Sequence, residues 1–236
     1  ANASANSTGV REGTFVYQGS YMGGTWTGEL SAFAIHNKEL DKDPTWRAAD
    51  QIKFANRKVL TEGGDFPTGT AQAVLSTDVV AYLKGDQTKE LKNDGGTFRN
   101  RTVLLGDIAY SAPVFVEGKV PTTTTEKDID DTVYVGANDG MLHAFDAENG
   151  SERFAYVPGG LDFAKLAKLS DPDYVHAFFV DGPIVVSTRE QTRTTTDTTG
   201  KNILVGTLGR GGKGLYALDV TDPASPSVLW GNTWSV

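Results

Sequence analysis

The stretch Asp130–Gly160, DDTVYVGANDGMLHAFDAENGSERFAYVPGG, decides how the rest of the chain is read. VYVGA (Val133–Ala137) is rich in the β-branched and aromatic residues that fit a pleated, half-covered surface. Asn138-Asp139-Gly140 then breaks the run, and Asp139-Gly140 suits a two-residue type I′ turn, whose central positions both need positive φ. In MLHAF (Met141–Phe145), Leu142 and Ala144 share one face while Met141, His143 and Phe145 share the other. Neither face is polar, so this sheet is expected to be covered on both sides rather than wet on one. Asn149-Gly150 marks a second turn, and Phe154 lies in the strand beyond it. The unit reads strand, tight turn, strand, turn, strand.

Two other blocks overlay on this one. GELSAF (Gly28–Phe33), GMLHAF (Gly140–Phe145) and KGLYAL (Lys213–Leu218) share Leu-x-Ala followed by a large apolar residue. A glycine-rich turn precedes each (Gly23-Gly24, Asn138–Gly140, Gly209–Gly212), and a large aromatic follows each (Trp46, Phe154, Trp230). SAPVFV (Ser111–Val116) and DGPIVVS (Asp181–Ser187) match one another as the strand before two of the blocks, with proline where it costs no ladder bond. About four strands per block is the content of a propeller blade.

The expected fold is therefore all-β: a β-propeller of four-stranded blades with a quinoprotein-like repeat, about three blades present, and short helical insertions. The blocks span about 14–100, 101–160 and 174–236, behind a flexible lead-in over 1–13 whose small polar residues have nothing to bury. Ala71–Lys84 and Leu161–Leu169 have helical spacing, whereas Thr122–Asp131 and Thr188–Gly200 read as polar loops. Three blades do not close a ring, and closure is what removes exposed sheet edges. The chain is thus expected to be a piece of a larger propeller or to need another chain over its ends.

Composition narrows the function classes. With 22 Lys and Arg against 30 Asp and Glu, the formal charge of -8 repels a phosphate backbone, so nucleic acid is not an expected partner. Cysteine is absent, which removes disulfides, thiolate metal sites and a cysteine nucleophile. No apolar run is long enough for a spanning helix. ANASANSTGV lacks the basic start and apolar middle of a signal peptide, so a mature form or an excised fragment is expected.

No catalytic set emerges. Ser111 and Ser187 follow no G-x-S-x-G elbow, and His36, His143 and His176 lack ligand spacing. Gly209–Gly214 has the look of a phosphate loop without its G-x-x-x-x-G-K-[ST] order, and reads as a hairpin turn. Asp128, Asp130 and Asp131 in KDIDD, with Asp41 and Asp43 in DKDP, are the nearest to a calcium loop, but they lack its glycine and its distal carboxylate. They are weak metal candidates, and no cofactor is expected in this chain. Asn138, Asp139, Asp146, Glu148 and Asn149 are explained by turn chemistry. Contact is instead expected from Thr122–Asp131, from Thr188–Gly200 with Thr192, Thr194 and Thr196, and from the basic turn carrying Arg210 and Lys213.

Several stretches in order carry a family resemblance: WTGELSAFAI, then YLKGD, then GGTFRNRTVLLGDIAYSAPVFV, VYVGANDGMLHAFDAENGSERFAYVP, DPDYVHAFFVDGPIVV and KGLYALDVTDPASPSVLW. Together they resemble the C-terminal β-propeller of the PilY/PilC family, the tip-associated biogenesis factors and adhesins of type IV pili. The resemblance runs from Thr14 to Trp230. It implies a non-enzymatic domain that supports pilus biogenesis, retraction control and surface adhesion through protein contacts. The implied partners are minor pilins at the pilus tip, the remainder of the propeller or an N-terminal adhesive domain, and a host or abiotic surface. The implied location is the extracellular pilus tip, the outer membrane or the periplasm of a Gram-negative bacterium. Calcium in the family sits in a D-x-[DN]-x-[DN]-G loop that is not found here. Two alternatives share the repeat. A pyrroloquinoline-quinone dehydrogenase would want a vicinal cysteine pair and an acidic cation site, and an outer-membrane assembly scaffold would want compact blades without insertions such as Thr221–Ser227.

Overall fold

The Leu-x-Ala repeat is the register of three sheets. The computed structural model describes residues 2–5, 14–118 and 131–233. In the first sheet β1 (Asn2–Ala5) pairs with β2 (Phe15–Met22), β2 with β3 (Thr27–His36), and β3 with both β4 (Glu39–Leu40) and β5 (Trp46–Arg47). The second contains β6 (Val59–Thr61), β7 (Gly64–Asp65), β8 (Val114–Val116), β9 (Thr132–Ala137), β10 (Met141–Asp146) and β11 (Glu152–Tyr156), in the order β7-β6-β11-β10-β9-β8. The third runs β12 (Ile184–Val186), β13 (Ile203–Thr207), β14 (Gly214–Asp219), β15 (Ser227–Thr233) in sequence order.

One row of backbone positions repeats across all three. Ser4, Tyr17, Ala32 and Trp46 stand opposite one another in the first sheet. Val114, Tyr134, Ala144 and Phe154 do so in the second, and Val185, Val205, Ala217 and Trp230 in the third. The aligned alanine thus faces the aligned aromatic each time: a small residue mid-sheet leaves room for the large ring on the strand beside it. The proline match between SAPVFV and DGPIVVS is offset by one residue from this register, which makes Val114 equivalent to Val185.

The sheets stack face to face as consecutive blades. Tyr17, Leu30, Ala32 and Trp46 pack on Val133, Val135, Phe145 and Ala147 of the second sheet. On its far side Leu142, Ala144, Phe154 and Tyr156 pack with Leu204, Tyr216 and Leu218 of the third. Strands β9 and β10 are accordingly buried along almost their whole length, as the two-faced apolar pattern predicted. Strand β8 lies beside both β1 and β12, so the first strands of the three blades neighbour one another.

Several local expectations are corrected. Asn2–Ala5, placed in a flexible lead-in, forms β1: small side chains give no burial signal, but backbone pairing with β2 needs none. Val59–Thr61 leaves the first block and adds to the second blade in parallel with β11, because all three residues are buried there. The helical stretch Ala71–Lys84 is two helices, α1 (Gly69–Val74) and α2 (Thr77–Lys84), since the Ser76 side chain caps the second by accepting from the N–H of Val79. In Leu161–Leu169, α3 (Phe163–Ala167) is capped by Asp162 and passes into a 3₁₀ turn. The polar loop Thr188–Gly200 contains α4 (Arg189–Thr192), begun by a capping box between Thr188 and Gln191.

The turns also differ from the two-residue reading. Residues 138–140 form a three-residue connection in which Gly140 alone has positive φ (92°), the geometry of a type I turn closed by a left-handed residue. At Asn149-Gly150 the positive φ again belongs to the glycine, at 77°. The hairpin whose two central residues do have positive φ is Asn37-Lys38, at 51° and 67°, between β3 and β4.

Candidate functional site

The connections between blades act as clasps. Leu105–Asp107 leads from the first blade to the second, and the N–H of Gly28 donates to the Leu105 carbonyl at 3.0 Å. A Cβ on Gly28 would lie 2.0 Å from the Gly106 oxygen, so a side chain there would push the clasp off. Gly106 N–H donates to the Asp139 carboxylate (2.9 Å), and the N–H of Asn138 to the Asp107 carbonyl (3.0 Å). The Asp107 carboxylate receives Asn138 Nδ2 at 2.8 Å and lies 3.0 Å from His176 Nε2, which belongs to the connection toward the third blade. Asp181, in that same connection, accepts from Tyr110 N–H and Asn138 Nδ2 through Oδ1. Its buried Oδ2 has no hydrogen-bond partner among the described residues, and burial raises its pKa. LGD and VDG are thus read as interblade clasps.

Beneath them lies a buried ionic network. Arg57 Nε and Nη2 donate to the Glu152 carboxylate at 2.6 and 2.9 Å. His143 Nδ1 is 2.8 Å from Glu152, and Nε2 is 3.1 Å from Asp139. Burial disfavours the charge on His143, but the Asp139 and Glu152 carboxylates outweigh it and hold the imidazole's pKa at about 9. Burial likewise opposes charge on Glu152, and Arg57 and His143 outweigh it, lowering that carboxyl to about 2. His143, which lacks ligand spacing in the sequence, is the hinge of a four-membered charge cluster that spacing did not reveal, because Arg57 lies far away in sequence.

Above the clasps runs a row of rings. Trp26, held at φ 54°, stacks on His176 with centroids 3.8 Å apart, and His176 meets Phe178 edge-on at 4.8 Å. Phe178 meets Tyr110 at 6.2 Å, and the Arg210 guanidinium lies 4.0 Å over the Tyr110 ring. Trp26 also borders a cleft of about 340 Å³, lined in addition by Arg99, Arg101, Asp107, Asp139 and Tyr174.

Of the sequence-predicted contact residues, Arg210 joins this row, and Lys213 is exposed beside it. Thr192 serves its own loop: its hydroxyl donates to the Lys201 carbonyl (2.7 Å) and receives the Lys201 N–H (2.6 Å). Thr194 Oγ1 receives the Asp197 N–H, and Thr196 is exposed at the loop's tip. Most of Thr122–Asp131, with Asp128 and Asp130, lies outside the described residues. Asp131 Oδ1 receives the N–H of Gly118 (2.8 Å). Among the described residues no three His, Cys, Asp or Glu converge on a metal position, and no helix is long and apolar enough to cross a membrane.

One sheet face is bare. Trp46 and Phe154 are 5% and 0% exposed beneath the next blade, whereas Trp230, their equivalent, is 42% exposed and Val185 in the same row 69%. Leu229 beside it is also exposed.

Consecutive sheets built on one shared four-strand register, each clasped to the next, define a β-propeller. The family model described as PilY1 beta-propeller domain matches residues 98–235, and the chain belongs to that family. It is 38% identical over 253 residues to a type IV pilus biogenesis factor PilY1 homolog of Xylella fastidiosa, covering 98% of this chain and 20% of that protein. The type IV pilus biogenesis factor PilY1 of Pseudomonas aeruginosa is 34% identical over 274 residues, covering 94% and 23%. The chain therefore spans about a fifth of the length of these relatives. The crystal structure of the Pseudomonas aeruginosa PilY1 C-terminal domain aligns with 44% of this chain and 18% of its own at 39% identity and a TM-score of 0.30.

Proposed function

We propose that this chain is a contact module of a type IV pilus biogenesis factor, working at the pilus or outer cell envelope by binding proteins rather than by catalysis. Its third blade docks against a further blade of the same propeller, and its loops and ring-lined face meet minor pilins. The observation that carries this reading is the exposure of Val185 and Trp230 on the third sheet, where Trp46 and Phe154, the equivalents of Trp230 in the other two blades, are covered by a following blade. An apolar face of this kind marks an interaction site. Kinship with named pilus biogenesis factors supports a role in pilus assembly; on this reading the module also serves assembly against retraction and contact with a surface.

The test is docking in trans. The 236-residue chain is mixed with the remainder of the propeller from the longer protein, and association is followed by sedimentation and by Trp230 fluorescence. Association lost on Trp230→Asp supports the reading; an isolated chain that stays monomeric and binds nothing refutes it. Deleting Thr188–Gly200 and measuring affinity for the minor-pilin complex tests the loop, and an unchanged affinity removes it from the contact.

A further inference from the structure

Arg99 and Arg101 stand two residues apart and are used differently. Every nitrogen of the Arg101 guanidinium is engaged: Nε donates to Glu90 (2.8 Å), Nη1 to the Tyr82 carbonyl (2.7 Å) and Nη2 to the Asp86 carbonyl (2.7 Å). Arg99 is equally fixed but unspent. Its backbone N–H donates to the Ser170 carbonyl (2.8 Å), its Nε to the Leu169 carbonyl (2.9 Å), and its guanidinium lies 4.5 Å over the Tyr174 ring. Neither terminal nitrogen has a hydrogen bond or a carboxylate partner among the described residues. A guanidinium with pinned stem and open fork is preorganised for a planar, bidentate anion.

The remainder of the cleft says which anion. Its own acids are taken, Asp107 by His176 and Asn138, and Asp139 by His143 and the Gly106 N–H, so they leave Arg99 unopposed. The backbone N–H groups of Thr102, Val103 and Leu104, in a bent segment on the cleft's wall, make no hydrogen bond to described residues and remain as donors for a ligand's carbonyl groups. Opposite, Trp26 is held in the left-handed region that L-residues seldom adopt, with its ring seated on His176. A volume of about 340 Å³ exceeds what a lone phosphate fills and suits a few residues of peptide.

We propose that this cleft recognises a peptide carboxylate: the carboxylate pairs with the Arg99 fork, the peptide backbone runs along Thr102–Leu104, and an apolar side chain packs against Trp26. The site is separate from the bare face of the third blade and does not depend on what covers that face.

The test uses the protein in its longest form and three fluorescent hexapeptides with one apolar sequence: a free C-terminus, its C-terminal amide, and the amide with one internal Asp. Anisotropy is expected to show binding of at least one carboxylate peptide and not of the plain amide; which one binds identifies a terminal or a side-chain carboxylate. Arg99→Gln is expected to weaken it about 10- to 100-fold, the worth of a charge-assisted pair, while Arg193→Gln, outside the cleft, leaves it unchanged. Arg99→Lys keeps the charge without the fork and is expected to fall between, which keeps the test alive if Arg99→Gln does not fold. Failure of both carboxylate peptides to bind, equal binding of the plain amide, or wild-type affinity in folded Arg99→Lys and Arg99→Gln would each overturn the proposal. So would displacement by inorganic phosphate at concentrations where acetate has no effect.

Discussion

The second and third blades carry the same row of residues and differ in what lies on it. Tyr134, Ala144 and Phe154 are sealed between neighbours, with charges buried alongside, whereas in the third blade Val185 and Trp230 have one neighbouring blade and are exposed. The strands are alike in pattern, including a bulge after Ala144 and after Ala217. Burial in a propeller is thus a property of the adjacent blade, and only secondarily of the strand that is buried. The same substitution made at equivalent positions should therefore have unequal costs.

The largest cost is expected in the buried ion network of the second blade. Glu152→Ala leaves Arg57 and His143 buried without their shared anion, and removing one member of such a set costs about 3–5 kcal/mol. Denaturant unfolding would measure it; a loss below about 1 kcal/mol would mean that water reaches the network. Next comes the aromatic pair. Phe154→Ala should cost about 3–5 kcal/mol through lost contacts and the cavity left behind, whereas Trp230→Ala should cost under about 2 kcal/mol in this chain, because its ring is already partly in water. Equal losses would break the comparison. A Trp230→Ala cost that grows when the rest of the propeller is present would sharpen it.

Much of this contrast was legible in the sequence. The repeat placed Ala32, Ala144 and Ala217 on equivalent strands and Trp46, Phe154 and Trp230 beside them, because sheet register preserves residue size across a row. The two-faced apolar pattern of MLHAF correctly implied cover on both sides. The buried network and the Arg99 cleft were not legible: each joins residues far apart in sequence, and Arg57 reads as an ordinary surface arginine until the chain folds it against β11. The capping box in Thr188–Gln191 was present as T-R-E-Q, but the surrounding threonines suggested a plain loop. Turn type was misread because Asn-Gly and Asp-Gly fit both two- and three-residue connections, and loop length, which decides between them, depends on strand ends.

The network also gives the second blade a pH signature centred on His143. His143, raised from 6.5 to about 9 against the cost of burial by Asp139 and Glu152, stabilises the fold fully below pH 6.5 and loses that contribution as the pH rises through about 9. Glu152, lowered from 4.5 to about 2, contributes fully above pH 4.5 and is lost as the pH falls through about 2. Asp139, Glu152 and Arg57 are the charged groups that face His143. Unfolding free energy should drop by on the order of 3 kcal/mol between pH 6 and pH 10. In His143→Gln that drop should largely vanish; an unchanged alkaline slope would assign it to other groups.

The smallest effect is expected at an arginine of the third blade. Arg210 stacks on Tyr110, a residue 53% exposed, in a contact open to solvent, where a cation over a ring is worth about 0.5–1 kcal/mol. Arg210→Ala should change stability by no more than that, in contrast to Arg57, whose guanidinium is enclosed and hydrogen-bonded to Glu152. A difference this large between two arginines follows from solvent alone, since water screens the first and is shut out from the second. If Arg210→Ala destabilises the chain as strongly as Glu152→Ala, the ring row is a structural seam between blades. If stability holds and minor-pilin affinity falls, the row is a contact surface, and the unburied blade is the part of the molecule that faces its partner.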